Sequence, residues 1–235
     1  MNKNNLIKSL IAILIFTSCK STKPGASTVV LKNEKTVILQ INSLEAINLE
    51  EDLTFADEIV LTYSLTAVDE NNKVIQVANG SFGVENMKKG AIVLRERFKP
   101  IELIVPSKSK VLSSVVLTEI EDYKKAQNTV LKINSFGGLS KIPTLFISLG
   151  EYETPMAVVF ASLQAAGIGL QAAERFDKDD LLGQSTFEVK MDTISRAKQV
   201  IPIALNFEGE HLKNSFQYKM KYELIRTYAK YVTCK

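Results

Sequence analysis

The sequence predicts a mainly β chain, an antiparallel sandwich carrying a helical insertion. Three observations predict it. From Thr36 apolar and polar side chains alternate with period two, the signature of half-buried strands. The alternating runs are short and are separated by polar turns, which suits an antiparallel sheet folded on a second sheet. Between residues 123 and 176 the alternation stops, and Pro155 to Ala173 carry no charge at all.

The strands follow in order. "TVILQIN" (36–42) is the first, "DEIVLTYSL" (57–65) the second, and "KVIQVANG" (73–80) the third, read as ending at a turn glycine. "AIVLRERF" (91–98) and "IELIVP" (101–106) are split by Pro100, which has no amide hydrogen to give a ladder. "VLSSVVLTEIED" (111–122) is next. After the insertion come "STFEVKM" (185–191), "VIPIALNF" (200–207) and "FQYKMKYELI" (216–225), for eight or nine strands. Within 123–176 two helices are expected. Thr154–Pro155 suits a helix start, and Ala, Leu, Met and Gln favour the helical state. The apolar helix is either core, packed on a sheet, or the element that meets a partner or a membrane.

The N-terminus predicts an address. Lys3 and Lys8 precede an apolar run, Leu10 to Phe16, and small residues lead to Cys19. That order is a secretory signal, and the run is too short to span a bilayer. "FTSC" resembles the lipobox of bacterial lipoproteins, which implies residues 1–18 as signal peptide, Cys19 as the lipidated first residue, and residues 19–35 as a polar tether. A membrane partner through that lipid follows, each buried methylene contributing about 0.8 kcal/mol. Lys20, rather than Asp, follows the cysteine, so the outer membrane is the expected location. Loss of Lys3 and Lys8 takes the formal charge from +3 to +1, so the charge gives no argument for nucleic acid and none is expected as a partner. With Cys19 lipidated, Cys234 has no second cysteine to pair with.

The loops suggest a family. "AINL" (46–49), "EED" (50–52) and "ADEIV" (56–60) follow the first strand; "VVLTEIED" ends in Glu119-x-Glu121; "DLLG" (180–183) leads into a later strand. In that order these segments resemble the C-two domain, an eight-stranded calcium- and phospholipid-binding sandwich. The likeness covers residues 36–122 and 177–226, and residues 36–235 as a whole read as a C-two-like sandwich with an insertion. It departs from the family in the length of that insertion and in placing Glu where the family has an Asp-x-Asp pair.

The resemblance implies a calcium site drawn from Asp52, Asp57, Glu119, Glu121 and Asp180, brought to one end of the sandwich. Calcium takes several oxygens at about 2.3–2.6 Å. Five converging acids need a cation, a basic side chain such as Arg175 or Lys178, or separation. The resemblance also implies a basic face for anionic phospholipid or an acidic partner, here Lys88, Lys89, Arg95, Arg97 and Lys99. Arg95, Arg97 and Lys99 alternate and would share one strand face.

Catalytic motifs are lacking. There is one histidine, His211, in a turn-like "EGEHLKN", and no Gly-x-Ser-x-Gly, P-loop, His-Glu-x-x-His or Cys-x-x-Cys. The expectation is a non-enzymatic, membrane-anchored binding or assembly module, linked to calcium or phospholipid. The alternative is a structural component of an envelope or secretion complex that docks through the apolar insertion.

Overall fold

The computed structural model describes residues 29–49, 56–106, 108–120, 123–135, 155–165, 181–189, 191, 198–211 and 214–234. Nine strands and two helices are present among them: β1 (Val29–Asn48), β2 (Ala56–Val68), β3 (Val74–Lys88), β4 (Ile92–Leu94), β5 (Ile101–Val105), β6 (Lys110–Glu119), α1 (Tyr123–Ser135), α2 (Pro155–Ala165), β7 (Leu181–Val189), β8 (Lys198–His211) and β9 (Asn214–Cys234). The chain divides into two units. One, Glu34–Ala229, holds the two sheets; the other comprises Met1–Asn33 and Lys230–Lys235, of which residues 29–33 and 230–234 are extended. No helix among the described residues is long and apolar enough to cross a membrane.

One sheet has the order β4-β1-β9-β8, with β5 also on β1; the other has the order β3-β2-β6-β7. β4 pairs with Ser43–Glu45 and β5 with Lys35–Leu39, so the two short strands follow one another along a single edge of β1. That gives four strand positions in each sheet. A 3-10 turn, Arg95–Arg97, breaks this edge.

The principal core lies between the sheets. Val37, Leu39 and Ile41 of β1 and Tyr218, Met220, Tyr222 and Leu224 of β9 meet Ile59, Leu61, Tyr63 and Leu65 of β2 and Val115 and Leu117 of β6. These positions alternate along their strands, as half-buried strands of period two require. β2 is buried on both sides, however: every residue from Ile59 to Val68 is buried. Its second face, Val60, Thr62, Ser64, Thr66 and Val68, lies under the helices. Val60 packs with Ala126 and Val130 of α1, and Val68 with Ile133, Val158, Val159, Ala161 and Leu163.

Gly80 corrects the sequence reading. It is a mid-strand residue of β3 paired with Tyr63, not a turn. A Cβ there would stand 2.3 Å from the Tyr63 ring, so glycine is needed for the ring to lie flat over the strand. The true turn comes earlier, at residues 69–73. The Asp69 carboxylate accepts from the amides of Asn71 and Lys73, both at 2.9 Å, and Asn72 has φ of 58°.

Candidate functional site: the acidic end and the basic edge

Three strand ends that adjoin the candidate acidic segments in sequence meet at one end of the second sheet. β2 starts at Ala56, and Ile59 pairs with Glu119, the last residue of β6. The Ile120 amide donates to the Glu58 carbonyl at 2.7 Å, extending this ladder by one bond. β7 starts at Leu181, opposite Thr118. The chain therefore leaves the sheet after Glu119 and re-enters beside it at Leu181, with α1 and α2 between. Gly183 of the "DLLG" step sits against the Phe207 ring of the opposite sheet, where a Cβ would approach to 2.2 Å. This glycine permits the close packing of β7 on β8.

Of the five candidate calcium ligands, Asp57 and Glu119 are described. Asp52, Glu121 and Asp180 lie outside the described residues, as does the lipidation candidate Cys19. Asp57 is fully buried, and its Oδ2 accepts a 2.5 Å hydrogen bond from the hydroxyl of Tyr218, which is also fully buried. Asp57 lies on β2 two residues before Ile59, so by strand alternation it shares the inward face. Its carboxylate reaches across the interior to β9 of the other sheet. Glu119 is half-buried and, as the partner of Ile59, is on the same side of the sheet. Among the described residues no three acids, histidines or cysteines form a metal-binding group.

The five basic candidates are all described, but not as one stripe. Arg95 and Arg97 occupy the 3-10 turn instead of alternating on a strand. Phe98 is the cause. It is drawn into the core, 4 % exposed, with its ring 4.6 Å from that of Phe82, and Pro100 then withholds an amide from the edge. The turn sends the two arginines to different sheets. Arg95 donates to Glu223 of β9 at 3.0 Å and to Asn42 of β1 at 3.3 Å. Arg97 donates to Glu85 of β3 at 2.8 Å, with its guanidinium carbon 5.8 Å from the Phe82 ring centroid. Lys89 donates to Asn48 at 2.9 Å. Lys88 and Lys99 are exposed; the Lys99 carbonyl accepts from the Tyr63 hydroxyl at 2.6 Å.

Comparison with protein-family models and with curated proteins finds no match for this chain.

The sequence reading missed two members of this edge. Ile92 and Leu94 of β4 are 55 % and 58 % exposed, while Val93 between them is buried. Both project from the same outward face of β4, opposite Glu45 and Ser43 of β1, and lie between Lys89 and Arg95 in the chain. The signal was visible as Ile-x-Leu alternation in "AIVLRERF", but sequence cannot say which of two apolar sets faces the core. His211 ends β8 and pairs with Asn214 across a two-residue hairpin connection.

Proposed function

We propose that this chain is a non-enzymatic bacterial lipoprotein, anchored through Cys19 in the outer membrane, whose C-two-like sandwich is a binding module for an anionic phospholipid surface. Two features support the C-two-like reading: four strand positions in each sheet, and Glu119 and Leu181 flanking the insertion on adjacent strands. The observation that carries the function is the β4 edge. Two exposed branched side chains, Ile92 and Leu94, lie in a segment, residues 88–99, that also carries Lys88, Lys89, Arg95, Arg97 and Lys99. That composition suits the boundary of an anionic bilayer, where apolar side chains enter the interface and each nearby Lys or Arg contributes about 1 kcal/mol.

Calcium is the cofactor of this proposal, and Asp52, Asp57, Glu119, Glu121 and Asp180 are the residues that would hold it. Asp57 would have to coordinate the ion while the Tyr218 hydroxyl remains on its Oδ2. Vesicle sedimentation of residues 20–235 tests the function. The expected result is pelleting with phosphatidylserine-containing vesicles, but not with pure phosphatidylcholine, strengthened by millimolar calcium and lost at high salt. Equal recovery in all supernatants overturns the lipid reading. Calorimetry without vesicles tests the ion separately, and no heat at millimolar calcium removes the cation from the proposal.

A further inference from the structure

We propose that α1 and α2 form a separable cap, which opens off the outer face of the β3-β2-β6-β7 sheet while the sandwich stays folded. The inference depends neither on the lipid anchor nor on calcium. Its first basis is the composition of the principal core. Among the described residues all its buried members come from the strands and the segments joining them, and none from α1 or α2. The helices bury their apolar residues in two smaller clusters outside it. The sandwich therefore has its main source of stability without them.

The second basis is the chemistry of the covered face. Along β2 its middle is a run of hydroxyls, although Val116 beside Thr62 and Val77 opposite Thr66 are apolar and pack with the helices. Thr62, Ser64 and Thr66 follow one another along β2, with Ser81 beside Thr62 on β3. All four residues are at least nine-tenths buried, and no protein group hydrogen-bonds to their hydroxyls. Such a face suits water, and covering it leaves each hydroxyl without the partner that water supplies. Closing the cap thus gains apolar contact around and between the hydroxyls and loses hydration at the hydroxyls themselves.

The third basis is how the cap is held. Asn134 of α1 makes a reciprocal pair with the backbone of Ser81: the Ser81 amide donates to Asn134 Oδ1, and Asn134 Nδ2 donates to the Ser81 carbonyl, both at 3.1 Å. β3 is the edge of its sheet, and the Asn134 amide does there what a neighbouring strand's peptide group would do. In α2, Ser162 donates to Asn79 Oδ1 at 2.6 Å, and the Asn79 amide donates back to the Ser162 carbonyl at 3.3 Å. Two discrete latches of this kind, around a poorly satisfied centre, make a two-state cover. When it opens, the hydroxyl face and the β3 edge at Ser81 are presented together. Docking through the apolar side chains Val158, Val159 and Leu163 of α2 would need this opening, since they are buried when it is closed.

Hydrogen exchange followed by mass spectrometry on residues 20–235 tests the cap. Peptides from 123–135 and 155–165 are expected to exchange roughly tenfold or more faster than those from 59–67 and 111–118. Asn134→Ala and Ser162→Ala should speed the helices roughly tenfold again and leave β2 and β6 unchanged. Thr62→Val and Thr66→Val, which replace unpartnered hydroxyls by methyl groups, should slow the helices. That direction separates a hinged cap from simple fraying of helix ends, which these changes would not touch. A common exchange rate for helices and sandwich, or Thr→Val variants that leave the helices unslowed, overturns the proposal.

Discussion

Tyr218 and Asp57 join the two sheets across the core: the phenol of β9 donates to the carboxylate of β2 at 2.5 Å, and neither residue reaches solvent. Replacing Tyr218 by Phe removes one donor from a buried carboxylate. We expect a loss of about 1.5–3 kcal/mol, read from urea unfolding at neutral pH. Asp57→Asn keeps an acceptor for the phenol and should cost less. If Asp57 also ligates calcium, Asp57→Asn weakens the calorimetric signal, whereas Tyr218→Phe leaves all five acids in place.

The glycine positions give a second prediction. Gly80→Ala pushes a methyl into the Tyr63 ring, which cannot swing away without breaking its bond to the Lys99 carbonyl. Gly183→Ala does the same to Phe207. Each should lower stability by about 1–3 kcal/mol, the usual cost of overpacking, and calorimetry should show a lower Tm. Gly90, with φ of 79° and no neighbour near its missing Cβ, should lose through backbone strain alone.

Alkali should unfold the protein in a defined window. Burial pushes the Tyr222 phenol up to about 12 from an ordinary 10.0, against a smaller opposing effect of Ser113 beside it. Burial raises Tyr63 still further, against the smaller effect of its bond to the Lys99 backbone. Above pH 10 the unfolded chain releases these protons while the native chain keeps them. Stability is therefore fully present below pH 10 and is lost as pH rises towards 12, by up to about 1.4 kcal/mol per pH unit for each tyrosine. Tyr222→Phe should flatten that decline, which denaturant titrations at stepped pH will show.

The basic edge should separate binding from stability. The Arg95–Glu223 and Arg97–Glu85 pairs are exposed on the arginine side, 50 % and 61 % accessible, with the glutamates at 19 % and 32 %. Exposed pairs of this kind contribute about 0–1 kcal/mol. Arg95→Ala with Arg97→Ala should leave unfolding nearly unchanged and cut vesicle pelleting severalfold. Ile92→Ser with Leu94→Ser should do likewise, because neither side chain is in the core.

Much of the fold was legible in the residues. Period-two alternation locates the strands because one face of each meets the core, and the interruption over 123–176 contains both helices. What misled the reading at Gly80 and at Arg95–Arg97 was distant. A turn glycine and a glycine under a tyrosine ring are the same letter. A basic strand and a 3-10 turn differ only through Phe98, whose pull into the core is decided by Phe82, sixteen positions away.

The sequence by itself determined which side chains of β2 are apolar and which carry hydroxyls: Ile59, Leu61, Tyr63 and Leu65 on one parity, Thr62, Ser64 and Thr66 on the other. Only the tertiary structure decided that the hydroxyl face is covered. Alternation reports local preference, and a Thr/Ser face is locally a solvent face. The helices that bury it come from more than fifty residues further along the chain, and their apolar contacts outweigh the hydration lost at the hydroxyls. The same holds for Asp57. As a letter it belongs to an acidic loop; in the fold its carboxylate is inside, held by Tyr218, because strand alternation turns it inward and a phenol waits there to receive it.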